Sequence, residues 1–417
     1  MPPTKPDYDE VSLSHLGFWS ATAAEREESF RVLRAERPLS WQPPAEGSLM
    51  DPEEPGYWAV LRHQDIRAVS KDPKAFCSSR GVQMEDVPPE LLEAAQSFLG
   101  MDDPRHAVLR KLVSSAFTPK RVARIEDQIA ARAERIVDVL VEHGDGDFVE
   151  LVAKPLPMWT IYDMVGLPEE WQAAATEGAD GMVSWNDEDV AAGRSPMEVL
   201  QSSLRALSGI AVELAQQRRS IPRDDLMTNL VQAEVDGEQL TDHDIASFFV
   251  LLSVAGNDTT RNTITHTMKA FTDFPDQRKL MIDDFEGHID TAVEEFVRWA
   301  SPVMTFRRTA TRDTELAGRS IAEGDKVVLF YASGNRDESV FERPNAFDVT
   351  RTRNEHVGFG GGGPHFCMGN QLARTQLRAI FRRLLQRVPD LQVGEPVPLV
   401  GNFVHAVKSI DCTLNPR

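Results

Sequence analysis

The sequence predicts a mainly α-helical fold with a small β part, and three observations carry that prediction. Helical spacing of apolar residues dominates from about residue 100 to about residue 300. Strand-like alternation is confined to a piece near residue 57 and a stretch from about 303 to 350. No internal repeat or low-complexity linker interrupts the chain. At about 150 residues per domain, the 417 residues allow two or three domains, or one large domain with a sizeable core. With no clean boundary visible, residues 1–417 are expected to form a single domain.

The elements follow in order. Pro43-Pro44, Pro52 and Pro55-Gly56 mark turns around the strand-like piece Tyr57-Trp58-Ala59-Val60-Leu61. From Arg121 to Val141, Val122, Ile125, Ile129, Ile136 and Leu140 recur at spacings of three, four and seven, as on one face of a helix. Residues 245–256 are apolar nearly all round, which predicts a helix running through a core. Thr241 and Asp244 look like its capping start. Lys326 to Tyr331 alternates as a strand does, with Gly318 and Gly324 as turn points. A last helix is predicted from about Gln371 to Val388.

Composition excludes several classes of function. The hydrophobic share of 41% and the charged share of 26% are ordinary for a folded soluble protein. A net charge of -20 argues against nucleic acid or an anionic membrane as the main partner. Cys77, Cys367 and Cys412 are odd in number and far apart, which implies no disulfide framework and fits a reducing compartment. The N-terminus has no basic region followed by an apolar run, and the longest apolar stretches are too short to span a bilayer. A cytoplasmic protein with no membrane span is expected.

The most informative stretch runs from Phe359 to Gly369: Phe-Gly-Gly-Gly-Gly-Pro-His-Phe-Cys-Met-Gly. Four glycines let backbone approach a flat or bulky partner closely. Cys367 sits where the next helix begins, so free N–H groups and the positive helix end favour thiolate. A phosphate loop would need Gly-Lys-Ser/Thr, which is missing, and His365 with Cys367 makes no compact zinc set. Taken alone, the loop reads equally well as a flexible turn with a structural cysteine.

Two further stretches stand out. Ala255-Gly256-Asn257-Asp258-Thr259-Thr260 interrupts the apolar helix. Gly weakens a helix there, and Thr hydroxyls bend one by bonding the carbonyl four residues back. An acid beside an alcohol can relay protons, although a plain helix end with an Asp-Thr cap fits the same residues. Glu295 and Arg298 lie one helical turn apart beside Phe296 and Trp299. Such a pair is usually solvated, but its aromatic neighbours point to burial and a structural role.

These three stretches, in this order, resemble the cytochrome P450 family of haem-thiolate monooxygenases. The Cys367 loop resembles the haem-binding signature, residues 255–260 the oxygen-binding groove, and Glu295-x-x-Arg298 the core pair. Asp103-Pro104-Arg105-His106 with Arg110 is similar to the helix under the haem, and Asn335-Arg336-Asp337 through Arg351 to the meander before the cysteine loop. The loop is one residue longer than the general bacterial pattern. In that it is similar to actinobacterial enzymes acting on sterol side chains and methyl-branched lipids.

The resemblance implies the cytochrome P450 fold around a buried haem b, with Cys367 as the axial ligand to iron. It implies cofactor contacts at His106, Arg110, Ala255, Arg308, Phe359, His365 and Gly369, of which His106, Arg110, Arg308 and His365 would meet the propionates. Thr259 would hold a water by hydrogen bond, and Asp258 would connect it to solvent protons. Leu251, Ala255, Val303, Met304, Phe403 and Val404 would face substrate, with the 77–101 loop and the 160–215 helices. The implied activity is insertion of one oxygen atom into an unactivated C–H bond of a hydrophobic small molecule (lipid, terpenoid or sterol-like), using O2. A peroxide-driven peroxygenase and a non-catalytic haem-based sensor are the alternatives, and the intact Asp258-Thr259 pair argues against both.

Electrons would come from a ferredoxin, its reductase and NAD(P)H, because the chain has no flavin or iron–sulfur region. Between Arg298 and Asp390, 15 Lys and Arg face 10 Asp and Glu, a locally basic stretch in an acidic protein. Arg374, Arg378 and Arg382 fall on one helix face. With Lys111 they form the expected docking face for an acidic ferredoxin, although such a stripe is commonly just a solvated face. The enzyme is expected to be a monomer.

Overall fold

A computed structural model describes residues 5–52, 54–88, 98–114, 117, 119–185, 187–235 and 238–414. Contacts divide the chain into two compact units. The first comprises Met1–Pro88, Asn262–Cys367 and Pro389–Arg417, and the second Pro89–Arg261 and Met368–Val388.

The first unit holds a five-stranded sheet in the order Leu39–Gln42, Tyr57–Val60, Lys326–Phe330, Thr305–Ala310, Phe76–Cys77. Tyr57–Val60 pairs parallel with Lys326–Phe330, which pairs antiparallel with Thr305–Ala310. Side chains alternate between the faces of a strand. Trp58, Val60, Val327 and Leu329 enter one apolar cluster, and Tyr57, Ala59, Val328 and Phe330 enter another. Both faces are covered, so these two strands are buried at every residue and read as continuous apolar runs. Gly318 and Gly324 take φ of +75° and +91° at the turns around Arg319–Ile321.

The helix Phe285–Ala300 carries Glu295 and Arg298, both fully buried and joined by two hydrogen bonds of 2.7 Å. Arg351 also reaches Glu295, at 3.1 Å. Arg298 donates to the carbonyls of Asn335, Pro344 and Ala346. This charged hub ties down the irregular chain between the last strand of the sheet and the cysteine loop.

The second unit is built from helices. Pro119–His143 packs along Asn370–Arg387, and Pro196–Ser220 packs on Glu169–Val183 and Asp242–Ala255. Thr241 and Asp244 form the capping box at the start of Asp242–Ala255. Among the described residues, no helix is long and apolar enough to cross a membrane.

Candidate haem-thiolate site

In the first unit, the glycine loop folds back on itself. Cys367 N–H donates to Phe359 O at 2.9 Å, and Gly360 N–H donates to Val357 O at 2.8 Å. Val357 N–H in turn donates to Asn335 Oδ1 at 2.7 Å. Gly363 has a φ of +74°, and a Cβ there would sit 2.1 Å from Ser70 O, at the end of the His63–Lys71 helix. The glycine therefore permits both the left-handed backbone and the close approach. Neither Ser70 nor the adjoining helix carried any local sequence signal for this role.

Cys367 is partly exposed, whereas Cys77 and Cys412 are buried. Phe359 and Phe366 of the same loop are also only half-buried. The following helix starts at Asn370 with Gly369 as an N-cap that has no side-chain cap. A Cβ on Gly369 would meet nothing within 4 Å. The cysteine's own amide closes the loop on Phe359, so it does not face the sulfur.

His365 Nε2 lies 3.2 Å from Ser78 Oγ. Arg308 is buried, donates to Arg307 O and stands over the Phe306 ring. In the second unit, His106 and Arg110 share one face of the helix Arg105–Ser114. His106 is 2% exposed and lies 3.3 Å from Asp103 Oδ1. Burial lowers its pKa, the Asp103 hydrogen bond opposes that shift, and Arg110 adds to it.

Also in the second unit, the helix Asp242–Ala255 stops and restarts at Asp258. Thr259 Oγ1 donates to Ala255 O at 2.9 Å across the break. A Cβ on Gly256 would lie 2.5 Å from Ile161 Cδ1, so only glycine lets the Pro155–Val165 helix approach here. Residues 245–250 are buried, while Leu251, Ala255 and Thr259, at i, i+4 spacing, keep exposed surface. That stripe is where a bound group or substrate would cover an otherwise buried apolar helix.

Asp258 is 1% exposed, and burial pushes its carboxyl up to about 6 although Arg261 pairs with it. The charges continue outward: Arg261 reaches Asp180 at 3.2 Å, Lys154 reaches Asp180 at 3.2 Å, and Lys154 meets the exposed Glu150 at 3.0 Å. None of Arg261, Asp180 and Lys154 was expected from the sequence, although Arg261 stands one helical turn beyond Asp258.

The residues expected to face substrate divide. Val303 and Val404 form an isolated β-bridge, and Met304 N–H donates to Phe403 O at 2.8 Å. Met304 lies in the core with Phe330 and Tyr57, and Val404 is buried. Val303, Phe306 and Phe403 are half-open, and the two phenylalanine rings meet edge to face at 5.2 Å. Of the 77–101 loop, residues 89–97 lie outside the described residues. On the expected docking face, Lys111 is exposed, but Arg374 and Arg378 are half-buried, and Arg374 bonds Asn370 at 2.6 Å. Further along, Arg383 and Arg387 are ion-paired to Glu134 and Asp138.

Comparison with known proteins gives these features a family. A methyl-branched lipid omega-hydroxylase of Mycobacterium tuberculosis is 42% identical over 418 residues, covering 99% of this chain and 96% of that protein. The chain belongs to the cytochrome P450 family. The cytochrome P450 family profile matches residues 287–389. A steroid C26-monooxygenase of Rhodococcus jostii is 38% identical over 391 residues, covering 91% of this chain and 80% of that protein. Among solved structures, a Mycobacterium marinum cytochrome P450 in complex with pseudoionone superimposes with a TM-score of 0.96 at 56% identity. It covers 99% of this chain and 100% of that one. The protein is therefore a P450 monooxygenase of the haem-thiolate class, which uses O2 and a redox partner. Its resident group fits the residues of the first unit: a partly exposed Cys367 thiol on a glycine-rich loop, with the His365 imidazole and the buried Arg308 guanidinium of the kind that bonds carboxylates.

Proposed function

We propose that this P450 hydroxylates an unactivated C–H bond of a branched hydrophobic molecule of the lipid, terpenoid or sterol-like class. It would carry haem b and draw electrons from a ferredoxin. The observation that carries the reading is the partly exposed Cys367 thiol on its glycine loop, in a chain whose relatives are hydroxylases of methyl-branched lipids and steroids. When bound, a thiolate-ligated haem supplies reductive activation of O2, with the sulfur favouring O–O cleavage.

The chain's own residues would do the rest. Cys367 would bind the iron. His365, Arg308, Arg110 and His106 would hold the cofactor's carboxylates. Phe359, Gly369 and Ala255 border the cofactor. Thr259 Oγ1 accepts and passes a proton at its hydroxyl, and Asp258, poised near 6 by burial, renews that proton. Leu251, Ala255, Val303, Phe306 and Phe403 offer apolar surface to substrate. Lys111 would meet an acidic ferredoxin with an exposed ammonium, and Arg374 and Arg378 with half-buried guanidiniums. The reading treats residues 1–417 as one cytoplasmic, monomeric enzyme; relatives that match 99% of the chain support only its single-enzyme part.

The test is a spectrum. Reduced protein under carbon monoxide is expected to show the strongly red-shifted Soret band of thiolate ligation, and Cys367→Ser is expected to abolish it. A band at the ordinary position in the wild type, or one surviving in the variant, removes Cys367 from its role.

A further inference from the structure

Glu85 and Asp86 are adjacent acids with opposite surroundings. Asp86 is buried and doubly paired, to Arg307 at 3.1 Å and to Lys326. Glu85 pairs with no cation among the described residues. Its carboxyl accepts from Asn402 Nδ2 at 2.5 Å, its only side-chain hydrogen-bond partner among the described residues. Burial pushes this carboxyl up, the Asn402 bond opposes the shift, and Asp86 adds to it. Asn402 is itself 3% exposed, and its Oδ1 is buried with no hydrogen-bond partner among the described residues. A half-buried acid without a counter-ion, held by an amide that is itself under-satisfied, costs stability. A ligand group able to bond there offsets that cost.

The chain brings this pair to the open apolar surface. Arg307 N–H donates to Val82 O at 2.8 Å, which sets the 82–86 segment along the strand Thr305–Ala310. Thr305 Oγ1 donates to Asn402 O at 2.9 Å, and Met304 N–H to Phe403 O at 2.8 Å, so residues 402 and 403 lie beside the same strand. Glu85, Val303, Phe306 and Phe403 are all half-buried.

We propose that Glu85, held by Asn402, is a specificity-determining residue that hydrogen-bonds a hydroxyl group on an otherwise apolar branched substrate lying across Phe306 and Phe403. This rests on the hydrophobic-substrate reading above. A hydroxyl both donates and accepts, so it pairs with the carboxyl in either protonation state. A carboxylate end group is disfavoured, because Asp86 adds a second acid and itself occupies Arg307 and Lys326.

The test titrates haem-loaded enzyme with three compounds of one skeleton: tetrahydrogeraniol, the corresponding hydrocarbon and the corresponding acid. Binding is read by the iron spin-state shift and independently by calorimetry. Wild type is expected to bind the alcohol about 10-fold more tightly than the hydrocarbon, one net hydrogen bond's worth, and the acid least tightly. Glu85→Leu and Asn402→Leu are expected to erase the preference for alcohol while leaving hydrocarbon affinity in place, and Glu85→Gln to keep part of it. An unchanged alcohol-to-hydrocarbon ratio in both Leu variants overturns the proposal. So does an equal loss for both ligands, which marks a structural role. If no compound shifts or binds wild type, the hydrophobic-substrate reading falls, and the anchor with it.

Discussion

Glu295→Gln deletes a charge while keeping the shape of the side chain. Glu295 Oε1 accepts from Arg298 and from Asp348 N–H, and Oε2 accepts from Arg298 Nε, Arg351 Nε and Asn354 Nδ2. Glutamine offers one acceptor oxygen and one NH2 group. Whichever way its amide turns, the NH2 faces at least two donors that it cannot satisfy. At about 1.5–3 kcal/mol for each hydrogen bond involving a charged group, two such losses begin at ~3 kcal/mol. Breaking a buried pair from one side costs about 3–5 kcal/mol, so the two routes agree. An unfolding entropy of about 2.1 cal/mol/K per residue turns that cost into a Tm lower by about 3–6 °C for the whole chain.

Scanning calorimetry of the haem-loaded protein measures the shift, and haem content per chain follows it. The content is expected to fall as well. Arg298 and Arg351 spend their other N–H groups on the carbonyls of Asn335, Glu342, Arg343, Pro344 and Ala346. Asn335 in turn holds Val357 at the root of the cysteine loop. A Tm within about 1 °C of wild type, with full haem content, would refute the claim that the buried charge organises this segment.

Two predictions concern proton delivery. Thr259→Ala is expected to lower the product formed per NADPH consumed, with peroxide released in its place, and equal coupling in variant and wild type rules the hydroxyl out. Asp258→Asn removes a carboxyl raised from 3.8 to about 6, mainly by burial. The folded chain holds a proton that the unfolded chain has released between those values. This group's contribution to stability is therefore full below 3.8 and lost as pH rises through about 6. The variant is expected to lose that slope in pH-dependent unfolding and the step near pH 6 in coupled product formation, whereas unchanged profiles would contradict the assignment.

The fold was legible where the signal is local and repetitive. The apolar run of 245–256, its Thr241–Asp244 start and the alternation from Lys326 recur as the helix Asp242–Ala255, its capping box and the strand Lys326–Phe330. The break at Gly256 was legible too, because glycine and threonine act on the backbone within one turn. What a neighbour from elsewhere in the chain does was not. Nothing near Gly363 announces that Ser70 O will crowd it, and nothing near Asp258 announces Asp180 and Lys154. Nothing near Met304 announces that it will pack in one cluster with Tyr57 and Phe330.

The same distinction governs the acids. Glu85 and Asp86 are neighbours with the same chemistry, and their sequence context gives no reason for different fates. Strand pairing decides between them: it places Arg307 and Lys326 against Asp86 and leaves Glu85 to Asn402. A family signature locates the residues that all its members need, such as the cysteine, because they must meet a common cofactor. The residues that choose a substrate answer to packing particular to this chain. Charge balance, residue by residue, is the observable that separates an acid neutralised for stability from one left available to a ligand.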